Sequence, residues 1–176
     1  MLLALIGYRG SGKSAVARLL AARLAWPWYD ADVEVELRAG KSIAAIFAED
    51  GEARFRDLEA QVVAELAVGE LGILALGGGA ILRAETQALL KQHAHTVWLT
   101  ATPQTLWTRI QSDTATAARR PNLSAAGGIT EIVATLAARE PVYRAAADLV
   151  VDTEHKTPAE VAEAIVAEWN LTVAEH

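Results

Sequence analysis

The residues with the clearest chemical meaning form a phosphate-binding pattern near the start of the chain. The pattern G-x-x-x-x-G-K-[ST] is matched by residues 7–14 (GYRGSGKS), which directly follow the apolar run 2–6 (LLALI). In such a loop the glycines let backbone N–H groups approach a phosphate closely. We expect Lys13 to reach the β and γ phosphates and Ser14 to ligate Mg²⁺, on a helix that begins near Lys13. A glycine turn that merely caps a helix is the alternative, and the strand before it makes this less favourable.

Two carboxylates form the next candidate group. Asp30 and Asp32 follow Trp28-Tyr29, which we interpret as a short second strand with acids at its carboxyl end. One carboxylate could face a metal ion and the other a substrate hydroxyl. A structural or helix-capping role is the alternative, because acids at strand ends are common.

Arg56 and Glu59 are i, i+3 neighbours on a predicted helix. By spacing alone they form a solvated ion pair that contributes a few tenths of a kcal/mol. The functional alternative directs the Arg56 guanidinium at a substrate carboxylate, which it can bind with two parallel hydrogen bonds.

Three consecutive glycines, Gly77, Gly78 and Gly79, end the apolar run 73–76 (ILAL). Each glycine costs chain entropy on folding, so three in a row are unusual. A tight turn requires one of them. A ligand pressed against the backbone would explain all three, and we favour that interpretation.

Arginines in the second half of the chain complete the set. Arg119 and Arg120 lie in the segment 112–127, which is polar, rich in small residues and expected to be mobile, and Arg139 ends a predicted helix before Pro141. A mobile loop that carries arginine can close over a γ-phosphate and neutralise its developing charge. Surface arginines without such a role are the alternative.

Composition limits the possible functions. Sixteen Lys and Arg against 22 Asp and Glu give a net charge of −6, which argues against a nucleic-acid or anionic-membrane surface. The start of the chain is expected to be a strand and not a signal peptide, and no apolar run approaches a membrane span. The chain has no cysteine, which excludes thiolate catalysis and is consistent with a reducing cytoplasm.

The alternation of apolar runs and helical patterns predicts an α/β fold. Expected strands are 2–6, 28–32, 73–76, 96–99 and 149–151. Expected helices follow residue 13, lie in pieces over 33–69 with breaks near Gly40 and Gly51, and cover about 84–92, 103–110, 129–139 and 158–169. We therefore expect one domain, 1–176, built on a doubly wound, five-stranded parallel sheet covered by helices on both faces.

Taken together, these segments resemble the shikimate kinase family over nearly the whole chain. The shared segments occur in the family's order and approximate spacing: 7–14 (GYRGSGKS), 30–32 (DAD), 55–59 (FRDLE), 77–79 (GGG), 120–123 (RPNL), 139–144 (REPVYR) and 151–153 (VDT). The resemblance implies a fold like that of the nucleoside monophosphate kinases, with a substrate-binding subdomain at about 32–60 and a lid at about 112–127. It also implies transfer of the γ-phosphoryl group of ATP to the 3-hydroxyl of shikimate, with one Mg²⁺, in a cytoplasmic monomer without an obligate protein partner.

The resemblance also implies roles for particular residues. Asp32 would hold shikimate hydroxyls and act as the candidate base, and Asp30 would support the Mg²⁺ together with Ser14. Arg56 and Arg139 would clamp the carboxylate, and Gly77, Gly78 and Gly79 would lie against the ring. Arg120, or Arg119 in a shifted register, would be the lid arginine. The implied ATP-binding residues are Gly10, Ser11, Gly12, Lys13, Ser14, Ala15, Arg109, Arg120 and Pro158, with the adenine beside Arg109 and the loop 153–158.

Several alternatives stay open on sequence grounds. Another small kinase of this architecture could act on gluconate, which also carries a carboxylate, or on a nucleoside monophosphate. A nucleotide-dependent switch is a different class, but the chain lacks the Asn-Lys-x-Asp element of GTPases. A catalytically silent relative should have lost Asp32 or one of the clamping arginines, and all of them are present.

Overall fold

The computed structural model describes residues 2–69, 71–113 and 128–169. In these ranges the chain forms five β-strands and eight α-helices, and each strand is followed by a helix, as the sequence predicted. The strands are β1 (Leu2–Ile6), β2 (Trp28–Asp30), β3 (Gly72–Ala75), β4 (Ala94–Thr100) and β5 (Leu149–Asp152). The helices are α1 (Lys13–Leu24), α2 (Ala31–Ala39), α3 (Ile43–Glu49), α4 (Gly51–Ala67), α5 (Ala84–His93), α6 (Pro103–Ser112), α7 (Gly128–Ala146) and α8 (Pro158–Trp169).

The strands form one parallel sheet in the order β2-β3-β1-β4-β5. After β3 the chain crosses over β1 and forms β4 and β5 in the half of the sheet beyond it, so the winding direction reverses next to β1. Ligands of doubly wound sheets bind outside the carboxyl ends of the strands near such a reversal. The phosphate loop follows β1 and the three glycines follow β3, so both segments lie at this edge. The predicted five-stranded, doubly wound fold is confirmed.

The central strand is buried on both faces. All five residues of β1 are at most 2% exposed. Leu2, Ala4 and Ile6 pack with residues of α2, α3, α4, α5 and α7, whereas Leu3 and Leu5 pack with residues of α1 and α8. A strand covered by helices on both faces has a continuous apolar sequence instead of an alternating one, which explains the run at 2–6.

Helix α7 is longer than the sequence predicted. We expected it to end near Arg139 because a proline cannot donate a backbone hydrogen bond and its ring clashes with the preceding turn. That boundary was wrong, since α7 continues to Ala146 with Pro141 inside it. An interior proline costs about 3 kcal/mol. Tyr143, which is fully buried and hydrogen-bonded to the Gly78 carbonyl, stabilises the turn that follows.

The predicted lid falls mostly on residues that the structure does not describe. Arg119 and Arg120 lie in the segment 114–127, outside the described residues. Their roles therefore stay sequence-based predictions. Among the described residues, no helix combines the length and apolar composition needed to cross a membrane.

Candidate active site

The phosphate loop joins β1 to α1 in a conformation that its glycines allow. Gly10 and Gly12 have φ angles of +82° and +95°, in the left-handed region that favours glycine. Gly7 is also tightly packed, because a Cβ at this position would lie 2.5 Å from the carbonyl oxygen of Leu99. Helix α1 begins at Lys13, as predicted, so its positive end faces the loop.

A cavity of about 240 Å³ lies between the phosphate loop and the segment after β3. It is lined both by residues predicted to bind ATP and by residues predicted to bind the acceptor. The predicted residues that line it are Gly10, Gly12, Lys13, Ser14, Ala15, Asp30, Asp32, Gly77 and Gly78. The Lys13 ammonium donates hydrogen bonds to the carbonyl oxygens of Gly7 (2.8 Å) and Tyr8 (2.9 Å). It therefore lies across the loop, where phosphates bind in this motif.

The predicted metal ligands lie together in this cavity. Ser14 Oγ donates a 2.5 Å hydrogen bond to Asp30 Oδ2, and Asp30 Oδ1 accepts a 3.0 Å bond from the backbone N–H of Asp32. Asp30 thus caps α2 with Oδ1 and faces Ser14 with Oδ2, so the capping role is present and is compatible with a metal role. The sequence predicted Asp32 at the end of the strand, but it lies in the first turn of α2. The backbone turns into a helix directly after the Asp30 cap.

The chemistry of these residues fits a nucleotide-bound Mg²⁺. Among the described residues, no group of three or more His, Cys, Asp or Glu side chains could hold a metal by itself. Mg²⁺ at kinase sites keeps several waters and takes only one or two carboxylates together with phosphate oxygens. The Ser14 hydroxyl and the Asp30 carboxylate are hard oxygen donors already in contact, and Asp32 lies nearby in the same cavity.

A second cavity, of about 260 Å³, meets the first at Gly12, which lines both. Its wall includes the predicted ATP-binding residues Ser11, Arg109 and Pro158, together with Thr153. Arg109 donates from Nη1 to Thr153 Oγ1 (2.9 Å) and from Nη2 to the Thr153 carbonyl (2.8 Å), which orients its guanidinium. A planar base can stack on a guanidinium held in this way.

Arg56 reaches the three-glycine turn from α4. A Cβ at Gly79 would lie 2.6 Å from Nη1 and 2.8 Å from Nη2 of Arg56, so the guanidinium lies directly against the glycine backbone. Nη1 also donates a 2.8 Å bond to Glu59, whose side chain is only 3% exposed, and Glu52 accepts from Nη2. The predicted ion pair is therefore confirmed, but it is largely buried and not solvated.

The charge state of Arg56 follows from this environment. Burial opposes the charged form, but the charges and hydrogen bonds of Glu59 and Glu52 outweigh it, and the pKa of Arg56 is raised. Arg56 is a permanent cation at the glycine turn. The sequence predicted that a ligand lies against the backbone of Gly79, but the Arg56 guanidinium fills this space. A glycine is therefore favoured at position 79 by a contact within the chain.

Arg139 reaches the same turn from α7. Its Nη1 donates a 3.1 Å hydrogen bond to the Gly78 carbonyl, which also accepts a 2.5 Å bond from the Tyr143 hydroxyl. Its guanidinium carbon is 6.0 Å from the centre of the Tyr8 ring. Burial raises the pKa of Tyr8, despite the opposing charge of Arg139, so this phenol stays neutral. The predicted pair of arginines is thus brought to two adjacent glycines.

Arg56, Arg139 and Gly79 do not line either cavity; they form the glycine-turn side of the site. Sequence reasoning missed two further residues. Arg9 lines the first cavity, but the phosphate-loop pattern accepts any residue at this position and so contained no signal. Tyr143 follows Arg139 by one helical turn, but the helix was expected to end before Pro141, so helical spacing did not place Tyr143 on the face of Arg139.

Comparisons with known proteins agree with this geometry. The family model for shikimate kinase matches residues 9–170. A shikimate kinase of Rhodopirellula baltica is 43% identical over 157 residues, which are 89% of this chain and 84% of that protein. The structure of the Acinetobacter baumannii shikimate kinase in complex with shikimate superposes with a TM-score of 0.89 at 31% identity, covering 96% of this chain and 92% of the other. The Aquifex aeolicus shikimate kinase gives a TM-score of 0.82 at 34% identity, with 97% and 96% coverage. These matches agree with the phosphate-loop cavity and with the glycine turn that Arg56 and Arg139 contact. This chain belongs to the shikimate kinase family.

Proposed function

We propose that the protein transfers the γ-phosphoryl group of ATP to the 3-hydroxyl of shikimate, which yields shikimate 3-phosphate and ADP in the pathway to aromatic amino acids. The observation that carries this proposal is the arrangement at the carboxyl edge of the sheet. One cavity joins the Lys13 loop to Asp32 and Gly78, and two guanidinium groups meet at the glycine turn on its far side. A triphosphate and a monocarboxylic alcohol can lie end to end in such a site.

Each residue has a defined task in this reaction. The acceptor oxygen forms a bond to the γ-phosphorus while the bond to the β–γ bridging oxygen breaks, and ADP leaves with that oxygen. Lys13 offsets negative charge on the β and γ phosphates. Asp32, which lines the same cavity, accepts the hydroxyl proton or orients the hydroxyl. Arg56 and Arg139 hold the acceptor carboxylate through charge-assisted hydrogen bonds.

The proposed cofactor is one Mg²⁺, held by Ser14 and Asp30 with Asp32 beside them. When bound, it would supply charge neutralisation to the phosphates. The adenine occupies the second cavity, beside Arg109, Ser11 and Pro158, because this cavity continues from the phosphate loop at Gly12. In this proposal the chain acts as one domain in which residues 32–60 serve the acceptor.

We also propose that the protein acts as a cytoplasmic monomer. The roles proposed above are all assigned within one chain, and none of them calls for a residue of a second copy. A sequence without cysteine suits the reducing compartment in which ATP is abundant. Light scattering of the purified protein at micromolar concentration would measure the mass, and a dimer would contradict the monomer.

The direct test measures ADP formation with a panel of acceptors. We expect turnover that requires both shikimate and Mg²⁺, with far lower rates for gluconate and for nucleoside monophosphates. The phosphorylated product should be identified by mass spectrometry and by the position of phosphorus coupling in NMR. Equal or faster turnover of gluconate or a nucleoside monophosphate would reject the proposed substrate.

A further inference from the structure

The Gly78 carbonyl receives two hydrogen bonds from one face of α7. Arg139 Nη1 donates at 3.1 Å and the Tyr143 hydroxyl at 2.5 Å. The two donors are four residues apart, which places them one helical turn from each other. A carbonyl oxygen has two lone pairs, so both acceptor positions of Gly78 are used.

The two donors differ in freedom. The Tyr143 side chain is fully buried, and its ring lies 5.7 Å from the ring of Trp98 at an angle of 28°. It packs within a cluster of buried apolar side chains. Arg139 is only partly buried and carries its guanidinium on a long, flexible side chain. One donor to Gly78 is therefore fixed, whereas the other can turn to a new partner.

The orientation of this carbonyl has consequences for the neighbouring peptide group. A trans peptide is planar, and its C=O and N–H point in opposite directions. Because the Gly78 carbonyl points to α7, the N–H of Gly79 points away from α7. Glycines have no Cβ to restrict the rotation of this peptide, so its orientation depends on contacts from outside the turn.

We propose that Tyr143 is a positioning residue for the acceptor. In the proposed function, on which this inference rests, Arg139 must direct hydrogen bonds to the acceptor carboxylate. The Tyr143 hydroxyl keeps the Gly78 carbonyl hydrogen-bonded while Arg139 binds the acceptor carboxylate. It thereby prevents rotation of the 78–79 peptide and spares Arg139 the cost of leaving a buried carbonyl unsatisfied.

The substitution Tyr143→Phe tests this, since it removes one oxygen and keeps the ring in the core. We expect KM for shikimate to rise about threefold to tenfold, the range that corresponds to one neutral hydrogen bond. We expect kcat and KM for ATP to stay within a factor of about two, because α7 contributes no residue to the Lys13 cavity. Calorimetric titration of shikimate should show the same weakening in the absence of ATP.

The matched control is Trp98→Phe, which loosens the packing around the Tyr143 ring and leaves its hydroxyl in place. We expect this variant to lose free energy of unfolding but to keep the shikimate KM of the wild type. Equal shikimate KM values for Tyr143→Phe and the wild type would overturn the inference, as would an equal rise in Trp98→Phe. Failure of the wild type to use shikimate would instead reject the proposed function, so the two failures are distinguishable.

Discussion

The guanidinium of Arg56 lies where a side chain at position 79 would begin. A Cβ built on Gly79 would be 2.6 Å from Nη1, 2.8 Å from Nη2 and 2.9 Å from Cζ of Arg56. Real Cβ atoms essentially never come this close to another heavy atom, so the guanidinium would have to shift from the position in which Glu59 holds it on its other side. The identity of residue 79 is therefore set by an arginine on α4.

Replacement of Gly79 by alanine should displace Arg56 and weaken the acceptor side of the site. We expect KM for shikimate to rise by one to two orders of magnitude, because a hydrogen bond to a charged group contributes about 1.5–3 kcal/mol. KM for ATP should be unchanged. Steady-state kinetics with each substrate varied in turn would measure both.

Gly78→Ala is the comparison for this variant. A Cβ on Gly78 would meet the Gly7 carbonyl at 3.4 Å and the Arg9 nitrogen at 3.5 Å, which are ordinary contacts. We expect a smaller rise in the shikimate KM than for Gly79→Ala. The opposite order of the two variants would show that Arg56 does not determine the effect.

Arg56 should contribute to stability as well as to acceptor binding. The variant Arg56→Ala removes the guanidinium from Glu59, which is 2% exposed, and loss of one member of a buried ion pair costs about 3–5 kcal/mol. We expect the free energy of unfolding in urea to fall by about that amount. Arg144→Ala, which removes an exposed pair with Glu140, should change it by less than about 1 kcal/mol.

The double variant Arg56→Met/Glu59→Met separates the two contributions. Apolar replacements of similar volume can restore the stability of a buried ion pair. We expect most of the lost unfolding free energy to return while shikimate affinity stays low. Recovery of wild-type affinity in the double variant would exclude Arg56 as a ligand of the carboxylate.

The parts of this site that could be predicted are local in sequence. The phosphate loop is one continuous segment, and its conformation depends on glycines that can be identified individually. The contact between Arg56 and Gly79 joins α4 to the segment after β3, and nothing in either segment alone indicates the other. Spacing within the helix correctly predicted the ion pair of Arg56 with Glu59 but could not show its burial.

Local rules also failed where tertiary packing outweighed them. Pro141 predicted the end of a helix, yet α7 continues because the buried Tyr143 lies beyond it. The sequence predicted Asp32 at the end of a strand, whereas Asp30 caps α2 and the helix begins at residue 31, one residue before Asp32. In both cases a side-chain hydrogen bond that propensity alone does not show favours the observed helix: Asp30 to the backbone N–H of Asp32, and Tyr143 to the Gly78 carbonyl.

Substitution of Asp32 by asparagine should affect turnover more than binding. Asparagine has the same shape but cannot accept the hydroxyl proton, and general base catalysis contributes about 10²–10⁴-fold. We expect kcat to fall by about two orders of magnitude or more, with both KM values within a few-fold of the wild type. A nearly unchanged kcat would remove Asp32 as the base and leave it a role in orienting the hydroxyl.

Arg109→Ala should weaken ATP without affecting the acceptor. The guanidinium lines the second cavity and is oriented by two bonds to Thr153. We expect ATP affinity to fall about twofold to fivefold, the size of a stacking contact between a guanidinium and a ring. Titration with ATP by calorimetry would measure it, with the exposed Arg18→Ala as control. A larger effect on shikimate than on ATP would move Arg109 to the acceptor side.

His95 should make the fold sensitive to acid. Burial lowers the pKa of His95 to about 4, although Asp148 partly opposes this. The imidazole lies against Trp169 with ring centres 3.5 Å apart and ring planes inclined at 55°, and its Nδ1 is 3.5 Å from Asp148. The unfolded chain protonates this group near its ordinary pKa of about 6.5, whereas the folded protein resists until about 4. The contribution of His95 is therefore complete above about pH 6.5 and is lost as the pH falls towards 4.

Urea unfolding at several pH values between 7.5 and 4.5 would measure this effect. Carboxylates titrate in the same range, so the informative quantity is the difference between the wild type and His95→Gln, whose side chain does not titrate. We expect the wild type to lose more unfolding free energy than His95→Gln as the pH is lowered, whereas His93→Gln, at an exposed position of α5, should behave like the wild type. Parallel pH profiles for the wild type and His95→Gln would mean that the imidazole is protonated in the folded protein as readily as in the unfolded chain.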